Sequence, residues 1–365
     1  LSKITSIATS LPEFKHTQDK LYEFSDNIFS ANETDSRKLK FLYHQSGISN
    51  RYSAIPDYSK TINDWIFYPP SKDLEPFPGI EKRMQYYSRE ATKLSVAAIE
   101  KCIANKLAKE DITHLITVSC TGMSAPGLDL DIIEQMNLPK NIVRTSVNFM
   151  GCYAAIHALK IADAFCKSSS KANVIVVCTE LCTLHFQKEI SVDNITASLL
   201  FADGCAAMLL QNDSTEKGII LQNFYSDVSF KGKKDMAWQI SSKGFLMTLT
   251  GFVPDLIKED FEGLVTASLE STGKTKADIT HWCIHPGGKK ILDTIVRSLG
   301  ISDTALAHSY SVLRDYGNMS SATIVFVLKK IFDELRMENP TEEANIFGAA
   351  FGPGLTMETF TATYG

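Results

Sequence analysis

Three short stretches of this chain recur in the same order at nearly the same distance, which limits it to folds that can be built twice. Asp111-Ile112-Thr113-His114 leads into the apolar run Leu115 to Cys120, and Asp278-Ile279-Thr280-His281 leads into Trp282-Cys283-Ile284-His285, 167 positions on. Gly151 opens a helical pattern ending near Phe165, and Gly317 opens one covering Ser320 to Leu335, an offset of 166. Ala172-Asn173 begins the strand-like run Val174 to Cys178, and Ala344-Asn345 begins Ile346 to Ala349, an offset of 172. One four-residue echo arises easily by chance. Three in register point to a duplicated α/β unit. In open α/β sheets ligands bind beyond the strand ends, so two related halves packed back to back bring equivalent strand ends and helix starts together.

That placement singles out three residues. The run Asn141 to Val147, rich in β-branched residues, reaches Gly151 and Cys152, after which Ala154, Ala155, Ile156, Ala158, Leu159, Ile161 and Ala162 read as a buried helix. Cys152 is therefore expected near a helix N-terminus, where unpaired N–H groups and the helix dipole favour the nucleophilic thiolate. His285 ends a strand in the second half, and Asn318 follows Gly317. A Cys, a His and an Asn brought together can supply a nucleophile, its base and an amide donor for a developing oxyanion. Singly, each has a duller reading: a small buried thiol, a His capping the turn at Pro286-Gly287-Gly288, an Asn capping a helix. Jointly, those readings need three coincidences. If His285 pairs with Cys152 as an ion pair, the thiol pKa is expected below the free value of roughly 8.5.

With 365 residues, 44% of them hydrophobic and 22% charged, the chain can bury a large core. Two halves are expected, 1–220 carrying the Cys and 221–365 carrying the His and Asn. A net charge of -5 gives no polyanion-binding field, so nucleic acid is not an expected partner. Leu1 to Pro12 is too short and polar for a signal peptide and reads as a strand entering a loop, and no run is long enough to span a membrane. The eight cysteines are scattered, mostly in apolar runs, without CxxC spacing or a secreted framework. Reduced thiols in a cytoplasmic protein are expected, with no zinc site of the CxxC kind. Leu21 to Tyr43 reads as a polar helical stretch containing the basic Arg37-Lys38-Leu39-Lys40, Tyr52 to Ile80 as an irregular excursion, and Met84 to Lys106 as a helix.

Gly151-Cys152-Tyr153-Ala154, His285-Pro286-Gly287-Gly288, Gly317-Asn318-Met319-Ser320-Ser321-Ala322 and Gly352-Pro353-Gly354-Leu355-Thr356-Met357-Glu358, with Phe201-Ala202-Asp203-Gly204 and Ser119-Cys120-Thr121-Gly122, resemble the chalcone-synthase-like, or type III, polyketide synthases over nearly the whole chain. The resemblance implies a homodimer of the doubled thiolase-type αβαβα fold, each subunit using malonyl-CoA and an acyl-CoA or acyl carrier protein thioester and needing no metal or cofactor. It implies Cys152 as the acyl-bearing nucleophile, with His285 and Asn318 stabilising the enolate left when malonyl-CoA loses carbon dioxide. Phe201 and Met247 fall on the two gatekeeper positions, and Cys120, Thr121, Cys182, His185, Ser320, Phe351 and Gly352 on the substrate wall.

Departures from the plant pattern narrow the expectation. The second gatekeeper is a yielding Met rather than an aromatic. Two wall positions that hold Thr in the plant enzymes are Cys182 and His185, a variant similar to the bacterial branch that takes fatty acyl starters and makes alkylpyrones or alkylresorcinols. His185 is as compatible with a hydrogen-bonded core imidazole as with a role in ordering the growing chain. Of the basic positions that bind coenzyme A, Lys38 matches one, whereas Phe41 and Gln45 occupy the others. A single-condensation ketoacyl synthase and a non-catalytic partner subunit are the alternatives. The His285-Pro286-Gly287-Gly288 and Gly352-Pro353-Gly354 motifs weigh against the first, and the intact trio weighs against the second.

Overall fold

A computed structural model describes residues 1–212 and 215–365. The first half opens with β1 (Ser2–Ser10) and β2 (Phe14–Thr17), followed by α1 (Gln18–Phe29) and α2 (Glu33–Gln45). Thr17 caps α1 by accepting from Lys20 N–H, and Asn32 caps α2 by accepting from Thr34 and Asp35. The polar stretch read as one helical segment is therefore two helices, broken where the Asn32 side chain satisfies the first N–H groups of the second. After β3 (Asn50–Ser53), which pairs with β2, the chain runs irregularly as expected, yet it buries Tyr58, Phe67, Tyr68 and Leu74. Next come α3 (Ile80–Ile103), β4 (His114–Ser119), α4 (Leu128–Met136), β5 (Val143–Asn148), α5 (Ala154–Ser168), β6 (Asn173–Leu181), α6 (Val192–Leu200) and β7 (Asp203–Asn212).

The second half runs β8 (Ile219–Val228), the hairpin β9 (Met236–Ser241) and β10 (Gly244–Leu249), α7 (Val253–Glu270), β11 (His281–Ile284), α8 (Lys289–Leu299), α9 (Ala307–Tyr316), α10 (Ser321–Glu338), β12 (Ala344–Gly352) and β13 (Thr356–Tyr364). Nine strands form one sheet in the order β11-β12-β13-β8-β1-β7-β6-β4-β5. The echoed segments fall on corresponding strands. β4 lies parallel to β6, which is antiparallel to β7, which is antiparallel to β1; β11, β12, β13 and β8 repeat that sequence of pairings. Within the sheet the halves join where β1 pairs with β8, through Lys3↔Ile220 and Ile4↔Ile219.

Strands buried on both faces carry near-continuous apolar runs, as Val174-Ile175-Val176-Val177 does in β6, all four fully buried. Helices α5 and α10 occupy equivalent places and pack on each other and on strands from both halves. Ala154, Ile156 and Leu159 of α5 share a buried cluster with Ile324, Val325 and Leu328 of α10. Outside the sheet, α3 covers β1, β6 and β7, while α7 covers β8 and β13. Helix, strands, central helices, strands and helix thus make the doubled thiolase-type αβαβα arrangement. No helix among the described residues is long and apolar enough to cross a membrane.

Candidate active site

Cys152 sits in the turn between β5 and α5, and glycine makes that turn possible. Gly151 has φ +97, and a Cβ there would come within 2.1 Å of Pro353 Cδ. Gly352 permits a second close approach, since a Cβ there would stand 2.5 Å from the Tyr153 ring and 3.3 Å from Cys152 N. Strand β12 and the loop after it therefore back directly onto the cysteine. Gly151 N–H donates to Cys120 Sγ at 2.9 Å, tying the turn to the end of β4. The Cys152 thiol donates to Ser320 Oγ at 3.6 Å, across the boundary between the halves.

The other two residues arrive from the second half. His285 follows β11 directly, with its backbone N–H donating to Ala349 O at 2.8 Å. Its ring is buried, and neither ring nitrogen has a partner. Asn318 follows Gly317, whose φ is +71. It is stitched to the first half by its N–H donating to Leu200 O at 2.9 Å and its carbonyl accepting from Ala202 N–H at 2.8 Å. Ser320 N–H donates to Asn318 Oδ1 at 2.9 Å, which fixes the amide orientation because a backbone N–H only donates. Nδ2 then donates one hydrogen to Gly287 O at 3.2 Å, leaving its second hydrogen for another acceptor.

Burial sets the protonation of this trio. It pushes the Cys152 thiol up to about 12, against smaller downward help from Ser320, while the nearby Glu180 charge pushes further up. Burial likewise takes His285 down to about 3. The thiolate expected from the helix start is thereby corrected: a helix N-terminus is worth about 0.3–1 kcal/mol, under one pKa unit, and cannot offset desolvation of this size. At rest, burial favours the thiol of Cys152 and the neutral imidazole of His285.

All three residues line one chamber, which also takes in Cys120, Thr121, Cys182, His185, Phe201, Met247, Ser320 and Phe351. Residues 1–214 match the N-terminal domain of chalcone and stilbene synthases, and residues 222–363 match the C-terminal domain. The chain belongs to the chalcone and stilbene synthase family. It is accordingly an acyl-transferring condensing enzyme of the type III polyketide synthase class. A protein of Mycobacterium tuberculosis named "Alpha-pyrone synthesis polyketide synthase-like Pks18" is 32% identical over 361 residues, covering 97% of this chain and 89% of that one. "Probable polyketide synthase 1" of Dictyostelium discoideum is 31% identical over 98% of this chain, which spans only 11% of that longer protein. The crystal structure of PKS-I from the brown alga Ectocarpus siliculosus superposes with a TM-score of 0.92 at 26% identity, covering 99% of this chain and 97% of that one. The C-terminal type III domain of Steely1, a type I/III hybrid from Dictyostelium, gives 0.89 at 28% identity over 99% of this chain and 98% of that domain.

One wall residue expected in this type III polyketide synthase lies elsewhere. Gly352 does not line the chamber but supports the Cys152 turn from behind. Lys38, which the resemblance matches to a coenzyme A-binding position and not to the wall, is exposed on α2, a helix that turns only Leu39 and Tyr43 inward. His185 proves to be a hydrogen-bonded wall imidazole. Its Nε2–H donates to Thr121 O at 2.7 Å, its Nδ1 accepts from Phe245 N–H at 3.1 Å, and its ring stacks on Phe245 with centroids 4.2 Å apart. Both nitrogens are committed, and burial takes the ring down to about 3, so it stays neutral.

The wall and the layer directly behind it also hold groups that sequence reading passed over. Glu180, fully buried, accepts from Cys120 N, Thr121 Oγ1 and Ser321 Oγ. Its signal was available, because a charge near the end of the apolar run Val174 to Cys178 is out of place without partners. Arg51 lies beneath Phe201, donating from Nη1 to its carbonyl at 2.6 Å. Trp238 donates to Cys120 O at 2.7 Å from the β9–β10 hairpin. Gln187 lines the chamber beside it.

Proposed function

We propose that this type III polyketide synthase loads an acyl starter on Cys152 and extends it with malonyl-CoA by decarboxylative Claisen condensation. The observation that carries this reading is the convergence of Cys152 from the first half with His285 and Asn318 from the second in one buried chamber. His285 takes the thiol proton as Cys152 attacks the starter thioester, and the leaving thiol carries that proton away. Malonyl-CoA then places its thioester oxygen against His285 N–H and the free Asn318 Nδ2 hydrogen. Its carbon–carboxylate bond breaks, carbon dioxide leaves, and the electron pair remains as an enolate whose oxygen these two donors stabilise. Fixed donors in a dry pocket stabilise such charge far better than water does. The enolate carbon attacks the acyl group, releasing the Cys152 thiolate, and the longer chain returns for another round.

The starter in this reading is a fatty acyl group, delivered on coenzyme A or an acyl carrier protein, and the products are alkylpyrones or alkylresorcinols. Small residues at Cys120, Thr121 and Cys182 on the wall support it, as does the similarity to a relative named for alpha-pyrone synthesis. The family is generally homodimeric, and a homodimer is proposed here too. Purified enzyme incubated with labelled malonyl-CoA and a ladder of acyl-CoA lengths tests the reading by product mass. Cys152→Ala should give no extended product while still decarboxylating malonyl-CoA. Extension retained by Cys152→Ala would sink the assignment.

A further inference from the structure

Among the described residues, seven buried side-chain nitrogen or oxygen atoms lack a hydrogen-bond partner, and three residues lining the Cys152 chamber hold four of them. Two are the His285 nitrogens, which the proposed chemistry uses. A third is Arg51 Nη2, on a guanidinium whose Nε and Nη1 already hold Gln18 and the Phe201 carbonyl. The fourth, Gln187 Oε1, has no role in the reaction described above.

Gln187 is 5% exposed and follows the single helical turn Cys182–His185. Its Nε2 donates to His185 O at 3.0 Å and to Lys243 O at 3.1 Å. Both partners are carbonyls, which only accept, so the amide cannot be flipped and the oxygen is the atom left over. Neighbouring donors do not reach it. Trp238 Nε1–H is committed to Cys120 O, and Asn194 Nδ2, which gives one hydrogen to Glu189 O, makes no bond to Gln187. Met236, Phe245, Met247 and Leu249 complete this side of the wall with apolar groups. Gln187 lines the substrate chamber, and a buried acceptor without a protein donor gains a partner if a bound chain brings an O–H to it.

We propose that Gln187 is a specificity-determining residue whose Oε1 accepts a hydrogen bond from an O–H group on the acyl chain held at Cys152. The assignment rests on the polyketide synthase reading and deepens it. An O–H donor has two sources in that chemistry: a hydroxyl already on the starter, or the enol of a β-keto chain after extension.

The test measures kcat/KM for wild type, Gln187→Met and Gln187→Glu with a series of monohydroxylated acyl-CoA starters, each against its deoxy counterpart, with malonyl-CoA as extender. Product ratios from the deoxy starters are recorded in parallel, and thermal melting checks folding. Gln187→Glu keeps an acceptor oxygen: burial favours the protonated carboxyl, whose single O–H replaces one of the two N–H groups that hold the carbonyls of His185 and Lys243, so it is read at a pH where the carboxyl is protonated. If the starter supplies the hydroxyl, wild type prefers one hydroxylated member by about tenfold, Gln187→Met loses the preference and Gln187→Glu keeps it. If the enol supplies it, deoxy starters give more early-released product with Gln187→Met, and Gln187→Glu restores the wild-type ratio. A common loss across all starters with unchanged product ratios, or a change that Gln187→Glu fails to restore, overturns the assignment while leaving the condensing activity intact. Should Gln187→Met not fold, wild type and Gln187→Glu decide: neither a hydroxyl preference nor a shared product ratio in the two would overturn it. A wild type that condenses no acyl-CoA with malonyl-CoA overturns the polyketide reading itself.

Discussion

Replacing Glu180 by Gln removes a proton-binding site from behind the chamber wall at Cys120 and Thr121 and should change how stability depends on pH. Its Oε2 accepts from Cys120 N–H and from Thr121 Oγ1, both at 2.9 Å, and its Oε1 accepts from Ser321 Oγ at 2.5 Å. Those donors favour the carboxylate. Burial outweighs them and raises the group from 4.5 to about 7. A carboxyl raised in this way binds its proton more tightly folded than unfolded, so its contribution is fully present below the unfolded value and is lost as pH climbs through 7. At about 1.36 kcal/mol per pKa unit the loss amounts to ~3 kcal/mol. Gln carries no such linkage. Asp203, which burial raises to about 6, is present in both proteins and cancels. In urea unfolding, Glu180→Gln should therefore gain ~3 kcal/mol on wild type between pH 4.5 and pH 8. Any fixed cost of turning an amide toward Ser321 is common to both pH values and drops out of the difference. A gap between the two proteins that stays constant within about 0.5 kcal/mol over that range would refute the buried-carboxyl reasoning.

Because the Glu180 charge helps keep Cys152 protonated, alkylation by iodoacetamide should show a midpoint well above the free-thiol value of roughly 8.5, and Glu180→Gln should speed it above pH 7 but not below pH 5. A wild-type midpoint below the free value would restore the ion-pair expectation. Gly151→Ala forces a Cβ against Pro353 at φ +97, so it should displace Cys152 and lower kcat on the order of 100-fold; wild-type kcat in a folded variant would show that the turn tolerates a side chain. Cys182→Phe should fill the wall and penalise long acyl-CoAs while sparing short ones, because each buried methylene contributes about 0.8 kcal/mol. Equal slowing of both starter classes would remove the support for a fatty acyl starter.

The duplicated order of strands and helices was legible because each echo is local: a strand start, a glycine and a helix pattern recur within a few residues. Cys152, His285 and Asn318 were legible for the same reason, each sitting at an element boundary. The protonation of Cys152 was not, because it depends on how deeply two distant halves bury one thiol. The split between α1 and α2 was readable in Asn32 and the acidic Glu33 and Asp35 after it, a cap signature that the surrounding run of polar residues hid. The tautomer of His185 and the unpaired oxygen of Gln187 had no sequence signal. They are fixed by the carbonyls of Thr121, His185 and Lys243, which adjoin only once the β9–β10 hairpin packs against the turn after β6.

The glycines that open the two central helices are 166 residues apart, and the residues after them are Cys152 and Asn318. The nucleophile and the amide donor are thus one position, occupied twice. Two identical copies of the unit would present one side chain twice at this place, from both sides of the junction between the halves. Cys152 and Asn318 differ there, so the two halves divide the work: one copy of the position carries a thiol, and the other carries an amide that can donate a hydrogen bond.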